Sequence, residues 1–225
     1  VSRGNPESAE FKCVREFISL IGENTDFGFC FRVDTDIKPG GRMSPLICST
    51  KQFEDYYWSS GQTWERLALV RMRPIAGAKD ILEQISEVVE KFVFRRFIDF
   101  SLLEDLRHLR SQIHSHYPQM NPDGRNLKLA PGGIRDIELF IHALQVIHGG
   151  KMPSLRTTST ELAAQQLIAA QRFDPAELKF LIETYWRFRE LENEVQAEDD
   201  RQTHEWTRRH GEKELNEFLT TAKKV

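Results

Sequence analysis

Paired cysteines are missing from this chain. Its three, Cys13, Cys30 and Cys48, are an odd number with no CxxC spacing. They give no disulfide framework and none of the paired Cys/His spacing of a structural zinc site. The expectation is three small, buried or half-buried side chains in a reducing cytosol. Long apolar runs are missing too. No stretch approaches the roughly twenty residues that cross a bilayer, and no secretory signal pattern is present. Charge of one sign is also lacking: 31 Lys and Arg face 34 Asp and Glu, a formal net charge of −3. No global field then draws the chain to a polyanion or an acidic membrane. These absences point to a cytoplasmic protein with neither a nucleic-acid nor a membrane partner. The first residue is Val1, not Met, and structured sequence begins at once, so a fragment is expected, or a protein whose upstream part is missing here.

What is present is enough for a packed core: 225 residues, 40% of them hydrophobic, room for one large domain or two small ones. Helical spacing of Phe11, Val14, Ile18 and Ile21, widened by Phe17, predicts a helix over 6–23. Phe29–Val33 reads as a short strand, and Pro45–Cys48 as another. Ser49 or Thr50 caps a helix carrying Phe53, Tyr56 and Tyr57. Thr63 opens the next, with Trp64, Leu67 and Val70 as its packing residues. After residue 78 the pattern is nearly all helix: 79–98, 101–117 behind a Ser101/Glu104 capping box, 134–148, 158–170, 175–199 and 213–224. Asn121–Gly124 is a turn, and 126–129 a short extended piece. The fold class is α+β, mostly α: a partial, β-containing domain over 1–77 and a helical bundle over 78–225.

Asp34 and Asp36 flank one residue. On a strand they point to the same face, where two carboxylates can meet one metal ion; an ordinary solvent-facing pair fits the dipeptide as well. Arg32, Lys38 and Arg42 bring cations nearby. Arg71 and Arg73 follow Trp64-Glu-Arg66 and can reach a polyanion or simply sit in solvent. Lys128 precedes Gly132-Gly133. Those glycines allow close backbone approach, and the helix start behind them attracts anions. Arg135 and Glu138, three apart, share a helical face, which suits phosphate handling or a surface salt bridge. Tyr185, Trp186, Phe188 and Leu191 read as core. His108, His114 and His116 do not read as a metal cluster.

Four stretches, in order, resemble the bifunctional glutamine synthetase adenylyltransferase/adenylyl-removing family, and its N-terminal, adenylyl-removing half in particular. They are Phe31-Arg-Val-Asp34 through Lys38-Pro39; Ser44-Pro-Leu-Ile-Cys-Ser49 through Phe53-Glu-Asp-Tyr-Tyr57, Trp64-Glu-Arg66, Arg71, Arg73 and Gly77; Asn126-Leu-Lys-Leu129 through Gly132-Gly-Ile-Arg-Asp-Ile-Glu138, Gly149-Gly150, Pro153 and Leu155-Arg156; and Leu191-Glu-Asn193 through Gln196, Asp200 and Gln202-Thr-His204. The resemblance implies a nucleotidyltransferase-type sheet, here a remnant, followed by a helical bundle. It implies phosphorolysis of adenylyl-tyrosine on glutamine synthetase, with phosphate attacking and ADP leaving, Mg²⁺ or Mn²⁺ as cofactor, and regulation of nitrogen assimilation through a PII-type signal protein and glutamine.

By the same resemblance Asp34 is a catalytic metal ligand with Asp36 beside it. Lys128, Arg71 and Arg73 hold adenine nucleotide and phosphate, and Arg135 and Glu138 complete the catalytic set. The family's Gly-Ser…Asp-x-Asp strand has no match upstream of Asp34, and Asp36 and Lys38 stand where the family usually has arginine. The chain by itself is therefore expected to be nearly inactive. The alternative is a non-catalytic helical module, or a degenerate nucleotidyltransferase domain, that docks a protein partner.

Overall fold

A computed structural model describes residues 1–26, 28, 30–96, 101–120, 126–199, 203–206 and 211–225. The chain separates into two compact units, Val1–Gln62 with Arg73–Phe92, and Thr63–Met72 with Val93–Val225. The expected turn at 121–124, the end of the helix expected to reach residue 98, and Phe29, Asp200 and Gln202 lie outside the described residues.

The first unit holds α1 (Ser8–Gly22), α2 (Thr50–Ser59) and nearly all of α4 (Lys79–Val93). Ser49 caps α2 by accepting the Gln52 N–H, and the Gln52 side chain returns the bond to the Ser49 N–H, which closes a capping box. Phe53 and Tyr57 from α2 and Phe92 from α4 are buried, with Phe53 edge-to-face and Phe92 tilted against the Tyr57 ring, both centroids within 5 Å of it. Gly61 must lack a side chain here, since a Cβ would meet the Phe92 ring at 2.5 Å. The helix α1 buries none of its residues, and Phe17 and Leu20 are exposed.

The expected strands do not form. Among the described residues there is no strand, only three isolated bridges, at Ser2/Ser49, Thr25/Gly28 and Asn126/Glu205. Residues 31–36 run without regular structure, and the Phe31 N–H donates to the Ile21 carbonyl at the end of α1. β-propensity measures fit to a neighbouring ladder more than a backbone preference, and no neighbouring strand is described here. The β part of the expected α+β class is thus not seen; the mostly helical part is. Asn126–Leu129 is a turn, not an extended piece, because the Asn126 Oδ1 accepts the N–H groups of Lys128 and Leu129.

The second unit is a helical assembly of α3 (Thr63–Leu69), α5 (Ser101–Met120), α6 (Ile134–His148), α7 (Thr160–Ala169), α8 (Pro175–Asp199) and α9 (Glu212–Ala222). On α6, Ile134 and Ile137 pack with Phe188 and Leu191 of α8 and Phe218 of α9, while Ile141 packs with Leu155, Leu167 and Leu178. One helix therefore serves two cores. Between them Gln145, buried, donates to the carbonyls of Leu155 and Thr157 at 2.7 and 2.8 Å. Of the expected aromatic core group, Tyr185, Phe188 and Leu191 are buried, but Trp186 is half exposed and donates to Glu161. Leu67 and Val70 pack as expected; Trp64 is exposed. No helix among the described residues is long and apolar enough to cross a membrane.

Candidate functional site

Burial and charge meet in the second unit. Glu138 stands at the second turn of α6 with its side chain only 13% exposed. Its Oε1 accepts from Arg71 at 2.7 Å, from Arg189 of α8 at 2.5 Å and from the Tyr185 hydroxyl at 3.3 Å. Arg189 also reaches Glu192 at 2.6 Å and lies over the Tyr185 ring, 5.2 Å from its centroid. Glu192 in turn stands 2.6 Å from the His204 Nδ1. Positions 185, 189 and 192 fall on one face of α8 because helix neighbours recur every three or four residues. Burial pulls Arg189 down, but Glu192, Glu138 and Tyr185 outweigh it and leave the guanidinium raised. Glu192 follows the mirror logic: burial pushes its carboxyl up, and His204 and Arg189 bring it below its ordinary value.

Lys128 is half-buried beside this network. Its ammonium is lowered, first by burial and then by Arg135 and Arg189, with Glu192 and Glu138 pulling the other way. Neither Lys128 Nζ nor the exposed Arg135 guanidinium has a hydrogen-bonding or ion-pair partner among the described residues. Glu138 does not pair with Arg135, although the two are three apart; its Oε1 is engaged by Arg71 and Arg189. Counted as formal charges, Arg71, Lys128, Arg135 and Arg189 against Glu138 and Glu192 leave the cluster two positive, and the two uncommitted groups are both cations. Such a cluster suits an anion with several acceptor oxygens.

The glycine turn plays a different part from the one its sequence suggests. The Gly132 N–H donates to Asp136, Gly133 to the Ala130 carbonyl, Ile134 to Leu127 and Arg135 to Lys128. The amides that open α6 are thus satisfied by the chain itself, and a helix start with its N–H groups spent is no longer an anion site. The close backbone approach is also used internally: a Cβ on Gly132 would lie 1.9 Å from the Ala222 carbonyl oxygen of α9, and one on Gly133 2.6 Å from that of Leu127. Asp136 is a brace here, buried and bonded to Arg110 and His114 as well as Gly132. Gly149-Gly150 is likewise packed, with the Arg156 guanidinium donating to both carbonyls and a Cβ on Gly150 falling 2.0 Å from the Arg95 carbonyl oxygen.

The first unit carries the carboxylate pair and Arg73, which is exposed. Asp34 is exposed, and one of its oxygens accepts the Asp36 N–H at 2.8 Å. Asp36 accepts from Arg42 at 3.0 Å, and the Lys38 ammonium donates to the Thr35 carbonyl. Mg²⁺ in phosphate chemistry commonly takes one or two carboxylates, the rest of its shell being water and phosphate. Asp34, with an oxygen to spare, fits that role, and Asp36 offers a carboxylate whose charge Arg42 already shares. Among the described residues no three His, Cys, Asp or Glu side chains group as a metal site. Cys13 and Cys30 are exposed, contrary to expectation, because α1 and the segment after it lie on the surface; Cys48 is half-buried and its thiol is pushed up by that burial.

His142 was not legible as a site residue. It sits one turn beyond Glu138, 5% exposed, with Nε2 lacking a partner among the described residues, and burial lowers its imidazole to about 4. The unfolded chain takes up a proton near pH 6.5 that the folded chain refuses until about 4. Its contribution to stability is therefore complete above pH 6.5 and is lost as pH falls toward 4, by on the order of 3 kcal/mol. Chemical denaturation between pH 7 and 4 should show this acid limb, flattened in His142→Leu. An unchanged slope would assign the limb to other groups.

Two family models match the chain: glutamate-ammonia ligase adenylyltransferase over residues 7–88, and GlnD PII-uridylyltransferase over 103–223. Bifunctional glutamine synthetase adenylyltransferase/adenylyl-removing enzymes from Rhizobium meliloti and Agrobacterium fabrum are 36% and 35% identical over 195 residues, 86% of the chain. The match over 103–223 takes in more than half of the chain, which belongs to the GlnD PII-uridylyltransferase family, and its similarity to glutamine synthetase adenylyltransferases runs along most of its length. The Shewanella oneidensis adenylyltransferase/adenylyl-removing enzyme is 35% identical over 189 residues. In each case the chain spans about one-fifth of the relative's length, 20%. Uridylyltransferases and adenylyltransferases both move a nucleotidyl group, so the family is one of nucleotidyltransferases, and the bundle residues Arg71, Lys128, Arg135 and Glu138 all fall in the second unit.

Proposed function

We propose that this chain serves the removal of AMP from adenylylated glutamine synthetase, as part of the adenylyl-removing half of an enzyme like its relatives. A phosphate oxygen bonds to the α-phosphorus of the adenylyl group, the bond to the tyrosyl oxygen breaks, and that oxygen takes up a proton; the products are ADP and the unmodified tyrosine side chain of glutamine synthetase. Lys128 and Arg135 hold the phosphate or nucleotide oxygens, with Arg71 as a further cation; Arg73, in the first unit, is a separate exposed cation. Glu138 fixes Arg71. In the first unit, Asp34 with Asp36 beside it would hold a divalent ion, Mg²⁺ or Mn²⁺, which supplies charge neutralisation for phosphoryl chemistry when bound. The observation that carries this reading is the pair of uncommitted cations beside carboxylates already paired with arginines. The match to the PII-uridylyltransferase model supports regulation through a PII-type signal protein, and the relatives' names support glutamine synthetase as target.

Calorimetric titration of the chain with ADP and phosphate tests the cation site. Lys128→Met and Arg135→Met should each weaken binding about tenfold, roughly 1.4 kcal/mol. Wild-type chain that binds neither ADP nor phosphate would sink the proposal. Mn²⁺ titration followed by electron paramagnetic resonance tests Asp34. Asp34→Asn should lose tenfold or more, and equal affinities would remove Asp34 from the metal site.

A second reading, a non-catalytic module that docks a protein partner, is favoured by Leu20, Phe31, Ile37 and Met43 in the first unit, each at least 60% exposed. Under that reading the cation and Asp34 variants change no binding, while Phe31→Ser weakens capture of purified glutamine synthetase.

A further inference from the structure

We propose that Arg189 is a positioning residue whose task is to occupy both acidic groups of the cluster, so that Lys128 and Arg135 stay free for an anionic ligand. The inference rests on the phosphate-handling reading above and adds how that site is kept available. Arg189 is the one side chain among the described residues that touches both carboxylates, Glu138 at 2.5 Å and Glu192 at 2.6 Å. Its fork suits this double role, since a guanidinium presents separate N–H donors in fixed directions and an ammonium is a single point. The ring of Tyr185 beneath it holds the plane, and the Tyr185 hydroxyl shares the same Glu138 oxygen.

Glu138 keeps Arg71 if Arg189 is removed, but Glu192, 4% exposed at its side chain, would keep only His204. A buried carboxylate stripped of its arginine seeks the nearest cation, because an uncompensated buried charge is costly. Lys128 is half-buried beside the network, and the charge of Glu192 favours its protonated form. Without Arg189, Lys128 is drawn onto Glu192 and is lost to the ligand. Arg189 itself need not touch the ligand for this to hold.

The test is titration of inorganic phosphate into the chain at low ionic strength, by calorimetry, for wild type, Arg189→Met, Arg189→Lys and the double variant Arg189→Met/Glu192→Gln. Thermal unfolding of each variant reports on folding. The expected result is a loss of affinity of at least tenfold in Arg189→Met, a smaller loss in Arg189→Lys, and recovery to within about threefold of wild type in the double variant, where the freed carboxylate is gone. Recovery by removing a second charged group is not what a merely structural arginine would show. If Arg189→Met binds phosphate as wild type does, or if the double variant stays as weak as the single one, the proposal fails while the cation site stands. If wild type itself binds no phosphate, the underlying functional reading fails.

Discussion

Alanine at position 132 is expected to destabilise the second unit by on the order of 3 kcal/mol or more, with unfolding readable in denaturant titration. Two costs add. The residue has φ +76, a left-handed conformation that a side chain resists. Its Cβ would also fall 1.9 Å from the Ala222 carbonyl oxygen, a backbone atom that cannot swing aside as a flexible side chain would. Gly41→Ala separates the two costs. Gly41 also has positive φ, at +65, but nothing lies within 4 Å of a Cβ there. It should lose only about 1 kcal/mol. Equal losses at the two positions would show that α9 does not press on the glycine turn.

Glu138→Ala is expected to cost about 3 kcal/mol, the range seen when one partner of a buried ion pair is removed. The side chain is 13% exposed and accepts from Arg71, Arg189 and Tyr185 through one oxygen. Its loss leaves Arg71 without its carboxylate and Arg189 with Glu192 alone. Arg71, at 45% exposed, can recover water, so its share is small; Arg189, at 24%, cannot do so fully. Glu138→Gln should be milder, since an amide oxygen still accepts from both arginines. Urea midpoints for the two variants check this, and a Glu138→Ala midpoint equal to wild type would show that the carboxylate carries no load in the fold.

Much of the helical half is readable from sequence because its signals are local. Thr160–Ala169 begins at its serine cap, Ser159, and Pro175–Asp199 begins at a proline and ends where the pattern does. The strands failed for the opposite reason: strand formation depends on neighbours elsewhere in the chain, and the sequence of 29–33 does not say whether they exist. The site divides in the same way. Arg71, Lys128, Arg135 and Glu138 stand out by residue type beside glycine or at helix starts. Arg189, Glu192 and His142 look like ordinary members of amphipathic helices. The spacing of Tyr185, Arg189 and Glu192, and of Glu138 and His142, shows that each set shares a face, but which set opposes which is fixed only by the packing of α6 on α8. The glycines misled because the backbone that approaches them comes from residues 95 and 222, distant in sequence.

With the opening amides of α6 spent on its own chain, an oxyanion at Lys128 and Arg135 would be gripped by long, rotatable arms and not by a rigid cradle of peptide groups. Grip of that kind selects by charge more than by shape. Sulfate should therefore compete with phosphate almost as an equal, and rising ionic strength should erode the hold steeply. Selectivity for a nucleotide would then have to come from whatever meets its base and ribose, not from the place that meets its phosphates.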